Sequence, residues 1–103
     1  MHDVIARHRV EIEALCRLYG VQRLEVFGSA ARGADFDPAR SDADFLVSFE
    51  QRSELPPLQQ FFGLADALKN LLGRPVDLIE MGAVRNPYFQ AEINRAREVV
   101  FDA

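Results

Sequence analysis

The chain has 103 residues, 49% hydrophobic and 27% charged, enough for one compact domain over 1–103 and not for two. Its 12 basic against 16 acidic residues leave a net charge of −4, which weighs against a protein that grips nucleic acid directly. One cysteine, Cys16, excludes an internal disulfide framework and fits a reducing cytoplasm; the charged N-terminus does not read as a secretory signal, and no apolar run is long enough for a membrane span.

Apolar residues Ile5, Ile12, Leu15, Cys16 and Tyr19 recur at helical spacing, so Asp3 to Tyr19 reads as an amphipathic helix followed by Gly20. Val21 to Phe27 is rich in strand formers and reads as a first strand. A turn at Gly28-Ser29 opens a very short helix through Arg32, and Gly33 to Arg40 is a loop with Asp37-Pro38 as its turn signal. Asp42 to Phe49 is a second strand, and its apolar face of Ala43, Phe45, Val47 and Phe49 belongs on the core. Glu50 to Pro57 is a proline-bearing loop, with Pro57 suited to the first turn of a helix. In that helix Leu58, Phe61, Phe62, Ala65, Leu68 and Leu72 form a stripe ended by Gly73, while Leu64 and Leu71 fall off it. They are either extra core or a docking surface. Pro75 to Glu80 is a third strand carrying Asp77 and Ile79 on one face. Asn86-Pro87 caps a helix reaching about Arg97, and Val99 to Phe101 closes the chain as a short strand. The order predicts an α/β (α+β) fold, a small mixed sheet of about four strands flanked by helices.

Asp42 and Asp44 are spaced to lie on one face of a strand, where two carboxylates repel unless a cation separates them. Asp is depleted in strands, so this pair asks for a reason. Asp77 joins them if its strand is a neighbour. Mg²⁺ is a hard ion held by one or two carboxylates together with substrate phosphates. Gly28-Ser29 alone is an ordinary turn, but it leaves a strand directly before the aspartate segment. There its backbone amides and the Ser29 hydroxyl suit a phosphate. Arg32 is either a phosphate clamp or an exposed loop arginine, and Ser41 bonds locally at its turn. The lysine and spacing of a Walker loop are absent, as is any Cys/His cluster at zinc spacing.

GSAARG followed by SDADFLV resembles the GS-x-ARG … SD-x-D-x-x-V signature of the minimal nucleotidyltransferases, in the DNA polymerase β-like nucleotidyltransferase superfamily. The similarity covers nearly the whole chain, including VDLIE and the NPYFQAEINRAREVVF tail. The loop from Gly33 to Ser41 is longer than the common form, and Ala43 and Phe45 replace aliphatic residues. The resemblance implies a polymerase β-like core that takes ATP as substrate with two Mg²⁺ ions. It implies Asp42, Asp44 and Asp77 as catalytic and metal-holding residues, Asp77 deprotonating or orienting the attacking hydroxyl. Gly28, Ser29, Arg32 and Ser41 would bind the nucleotide. The chain lacks the second domain of larger relatives, so the acceptor comes from a partner or from a second copy in a homodimer. The family resembles antitoxins that move AMP to a tyrosine of a HEPN-family ribonuclease toxin, which implies an adenylyltransferase and antitoxin, in the cytoplasm that the composition suggests. Two alternatives stay open: an antitoxin that neutralises by binding alone, and nucleotidyl transfer to a small molecule.

Overall fold

Residues 3–32, 42–51 and 53–103 are described by the computed structural model, with nothing said of the Ser29 and Arg32 side chains. Four strands form one mixed sheet: β1 (Val21–Phe27), β2 (Ala43–Phe49), β3 (Val76–Glu80) and β4 (Arg97–Asp102), in the order β3-β2-β1-β4. The central strand β1 runs antiparallel to β2 and β4, and β2 is parallel to β3. The helices are α1 (Asp3–Arg7), α2 (Arg9–Leu18), α3 (Ser29–Arg32), α4 (Pro57–Leu72) and α5 (Pro87–Arg95), with a single 3₁₀ turn at Met81–Ala83.

The first helix of the sequence is two. The His8 ring Nδ1 lies 2.8 Å from the Val4 carbonyl, the acceptor an unbroken helix would give to the His8 amide. The amide bonds instead to the Ile5 carbonyl at 3.1 Å, a 3₁₀ step that breaks the ladder. Both pieces still bury one face: Val4 and Ile5 from α1, Ile12 and Cys16 from α2.

A bulge at Gln22 sets which face β1 gives to the core. Val21 pairs with Phe49 and Arg23 with Ser48, so β1 carries one extra residue there. Without it, Val21 and Leu24 would point to opposite faces; with it, Val21, Leu24 and Val26 all enter the same cluster. Ala43, Phe45 and Val47 join them fully buried, with Phe49 packed at the margin, as their alternation predicts.

The stripe expected for α4 is rotated. Gln60, Leu64, Leu68 and Leu72 are buried, whereas Leu58 and Phe62 stay exposed at 73% and 63%. Leu64 is therefore core and not a docking residue, and Leu71 packs against that core. Two contacts fix the rotation. Gln60 Nε2 donates to the Tyr19 carbonyl at 3.1 Å, tying α4 to the end of α2. At Gly63 an added Cβ would stand 2.5 Å from the Tyr19 ring, so only glycine lets the two helices close.

Asn86 caps α5 as the sequence predicts, its Oδ1 accepting from the Tyr88 amide at 2.9 Å. The helix stops at Arg95, because from Arg97 onward the chain pairs with β1. α5 and the 3₁₀ turn lie on the second face, where Phe27, Leu46 and Ile93 form a smaller cluster with Ile79, Met81 and Val84 at its edge. One face of the sheet is thus closed by α1, α2 and α4, and the other is only part covered.

Candidate active site

The aspartates lie on the part-covered face. Asp44 of β2 pairs in register with Asp77 of β3 on one side and with Phe27 of β1 on the other; Phe27 in turn pairs with Arg97 of β4. Directly opposed residues share a face, so Arg97, Phe27, Asp44 and Asp77 form one row across the sheet. Asp42 stands one residue before β2, exposed. The strands that bear Asp44 and Asp77 are neighbours, which the sequence left as a condition.

The Asp44 carboxyl is pushed up to about 6, first by burial and then by the charges of Asp77 and Asp42. Burial, with the charges of Asp77 and Asp42 added to it, favours the protonated form of Asp44. Among the described residues no group of three or more His, Cys, Asp or Glu side chains is gathered tightly enough to enclose a metal ion. Carboxylate oxygens such as those of Asp44 and Asp77 are donors that Mg²⁺ takes together with phosphate oxygens and water.

Gly28 follows Phe27 and has φ +68°, in the left-handed region that favours glycine. A Cβ there would stand 2.9 Å from Asp44 Oδ2. The turn and the carboxylate therefore occupy adjoining space, and any side chain at 28 would displace Asp44. The Gly28 amide donates to the Ala96 carbonyl at 3.2 Å, so Gly28 supplies room and curvature rather than its own N–H. α3 carries Ser29 and Arg32 immediately after that turn. Ser41 lies outside the described residues.

A second charged group on this face was not singled out from the sequence. Glu25 of β1 is only 3% exposed, two residues from Phe27 on the same face. Arg97 Nε donates to its Oε1 at 3.0 Å and Arg97 Nη2 to its Oε2, a bidentate pair. This hydrogen bond outweighs burial and holds the Glu25 carboxyl below the usual range. The signal was a glutamate between the apolar residues Leu24 and Val26 of a strand. Its partner lies 72 residues away, beyond the reach of local pattern.

The nucleotidyltransferase domain family matches residues 11–100. A Methanocaldococcus jannaschii protein named as a candidate protein adenylyltransferase, MJ0128, is 38% identical over 91 residues, covering 88% of this chain and 85% of the relative. A second from the same organism under the same description, MJ1217, is 31% identical over 91 residues with the same 88% and 85% coverage. Among solved structures, a candidate minimal nucleotidyltransferase superposes with a TM-score of 0.72 at 32% identity, covering 95% of each chain. The fold is shared with the tri-AMPylated Shewanella oneidensis HEPN toxin in complex with MNT antitoxin, at TM-score 0.64 and 18% identity over 96% of this chain and 73% of that one. It is shared as well with a toxin–antitoxin complex holding AMP-PNP, at TM-score 0.67 and 21% identity over 92% and 73% of the two chains.

Proposed function

The chain belongs to the nucleotidyltransferase domain family, and we propose that it moves AMP from ATP to a tyrosine hydroxyl of a HEPN-family toxin, acting in the cytoplasm as that toxin's antitoxin. The observation that carries this is the in-register pairing of Asp44 with Asp77, with the Gly28 turn abutting Asp44. The family places the reaction at phosphorus. The description of MJ0128 supports a protein as acceptor, and that of the Shewanella complex supports a HEPN toxin.

Asp42, Asp44 and Asp77 would hold Mg²⁺, two ions in the full site; when bound, the metal acidifies the attacking hydroxyl and neutralises charge on the departing pyrophosphate. The chain's own residues do the rest. The Gly28-Ser29 turn seats the β- and γ-phosphates, with Ser29, Arg32 and Ser41 as their side-chain partners. Asp77, at the sheet edge beside Asp44, takes the proton of the acceptor hydroxyl. The tyrosine oxygen bonds to the α-phosphorus as the bond from that phosphorus to the bridging oxygen breaks, and pyrophosphate leaves with the electron pair. The raised Asp44 carboxyl means that a proton competes with the cation below about pH 6.

The test is incubation of the purified protein and a HEPN toxin with Mg²⁺ and ATP labelled on the α-phosphate. Label is expected on a toxin tyrosine, lost with Asp44→Asn and lost on chelation. No label, together with full protection of cells by Asp42→Ala, would show neutralisation by binding alone. Label on a small-molecule hydroxyl in place of the toxin would move the reaction to that acceptor.

A further inference from the structure

The chain has two tyrosines, and the fold treats them oppositely. Tyr19 ends α2 with its ring against Gly63 of α4 and its carbonyl held by Gln60. Tyr88, in the first turn of α5, is 83% exposed. Its backbone is fixed all the same: the Tyr88 amide donates to Asn86 Oδ1, and Pro87 starts the turn. An aromatic ring that stays in water on folding contributes little to stability.

Tyr88 sits beside the aspartate face but points off it. The next residue, Phe89, sets its ring edge-on against Phe27 with centroids 6.4 Å apart, and Phe27 pairs in register with Asp44. Phe89 and Ile93, four residues apart, mark the side of α5 turned to the sheet. With about 3.6 residues per turn, Tyr88 falls on the outward side together with Glu92 and Arg95, which are exposed and ion-paired at 3.2 Å. To bring its hydroxyl to its own Asp44, α5 would have to leave Phe27, and Ile93 would leave its cluster. A second molecule meets no such obstacle. Charge favours that encounter. Exposed Arg85 precedes Tyr88 by three residues, and Glu92 on the same side is already neutralised by Arg95, whereas the site to be entered carries Asp42, Asp44 and Asp77.

We propose that Tyr88 is an adenylylation site of the chain itself, modified by a second copy, a step that rests on the nucleotidyl-transfer reading. The Tyr88 hydroxyl oxygen of one molecule bonds to the α-phosphorus of the ATP held by the other. The bond from that phosphorus to the bridging oxygen breaks, and pyrophosphate leaves with the electron pair. The phenolic proton passes to Asp77 of the catalysing molecule. The products are a tyrosine–AMP phosphodiester on α5 and free pyrophosphate.

The test is a mixing experiment with the intact chain, Mg²⁺ and ATP labelled on the α-phosphate. Tyr88→Phe keeps the carboxylates and lacks the acceptor; Asp44→Asn keeps the acceptor and lacks a full site. Mixed, the two should place label on Tyr88 of the Asp44→Asn chain, while each alone carries at least about tenfold less. Tyr88→Phe should label the toxin as the wild type does, since an exposed ring is lost without cost to the fold. Arg85→Glu, added to the Asp44→Asn chain, should slow its labelling several-fold. A wild type that labels the toxin and not itself, or that carries AMP at a residue other than Tyr88, overturns the proposal and leaves nucleotidyl transfer standing. Label on Tyr88 of the wild type that the mixture does not reproduce overturns transfer between copies. A wild type that labels neither the toxin nor itself overturns both readings.

Discussion

The two faces of the sheet solve opposite problems. The face under α1, α2 and α4 buries Phe45, Leu24, Val26, Val47, Leu64 and Leu68 completely, and stability comes from removing apolar area from water. Among the described residues, the other face buries Phe27, Leu46 and Ile93 as an apolar cluster and carries Asp44, Asp77, Glu25 and Arg97 beside it. Its carboxylates are not treated alike. Glu25 is paired by Arg97 and held below the usual carboxylate range, whereas burial first, and then the charges of Asp77 and Asp42, push Asp44 up to about 6. A protein that only needed stability would pair both. Under the nucleotidyl-transfer proposal, Asp44 is the carboxylate beside which a cation and a triphosphate would sit.

The sharpest way to break this contrast is Asp44→Asn. Transfer to the toxin should fall about 10³-fold, the loss of several kcal/mol of transition-state stabilisation. Stability should move the other way. A carboxyl raised from 3.8 to about 6 binds more protons folded than unfolded, so stability falls as pH rises through that window. Removing the charge should stabilise the metal-free protein by about 2 kcal/mol at pH 7, with the gain gone below about pH 4. Thermal melts at both pH values read this directly, and a destabilised Asp44→Asn protein at pH 7 would contradict the account.

On the closed face, Phe45→Ala should cost about 4 kcal/mol in denaturant unfolding, since the ring is fully buried. Phe62→Ala, a large apolar residue that α4 leaves outside, should stay within about 0.5 kcal/mol. Equal losses would mean the α4 rotation is misassigned.

Arg97→Met leaves Glu25 buried without its main partner and should cost about 3 kcal/mol near neutral pH. The Glu25 carboxyl is depressed in the fold, so the stability it contributes is present above its unfolded value, near 4.5, and is lost as pH falls through the lower folded value. The penalty of Arg97→Met should therefore shrink in acid, which urea titrations at pH 7 and pH 3 would show. A smaller effect than that of Arg97→Met is expected from Gly28→Ala. Strain at φ +68° and contact with Asp44 Oδ2 should cost about 1–2 kcal/mol, and Mg-ATP affinity should drop with it because the carboxylate is displaced.

Local pattern was enough for most of the elements. The alternation in β2, the Asn86-Pro87 cap and the glycine-serine turn before the aspartate strand are short-range signals, and each is where the sequence places it. Asp42, Asp44, Asp77 and Gly28 were legible as a constellation because residue types costly in strands and turns stood at fixed spacing. What failed were decisions made across the sheet or between helices. α4 turned about its axis because Gln60 and Gly63 meet Tyr19, and no periodicity within α4 contains Tyr19. His8 broke the first helix through one side-chain bond. Glu25 and Arg97 met only when the ends of the chain paired as β1 and β4. The sequence by itself determined that Asp42 and Asp44 are spaced for one side and which turn precedes them, since spacing along one strand decides the side on which a residue lies. Only the tertiary structure decided that Asp77 stands opposite Asp44 and that Arg97 meets Glu25, because register and pairing are set by partners distant in the chain.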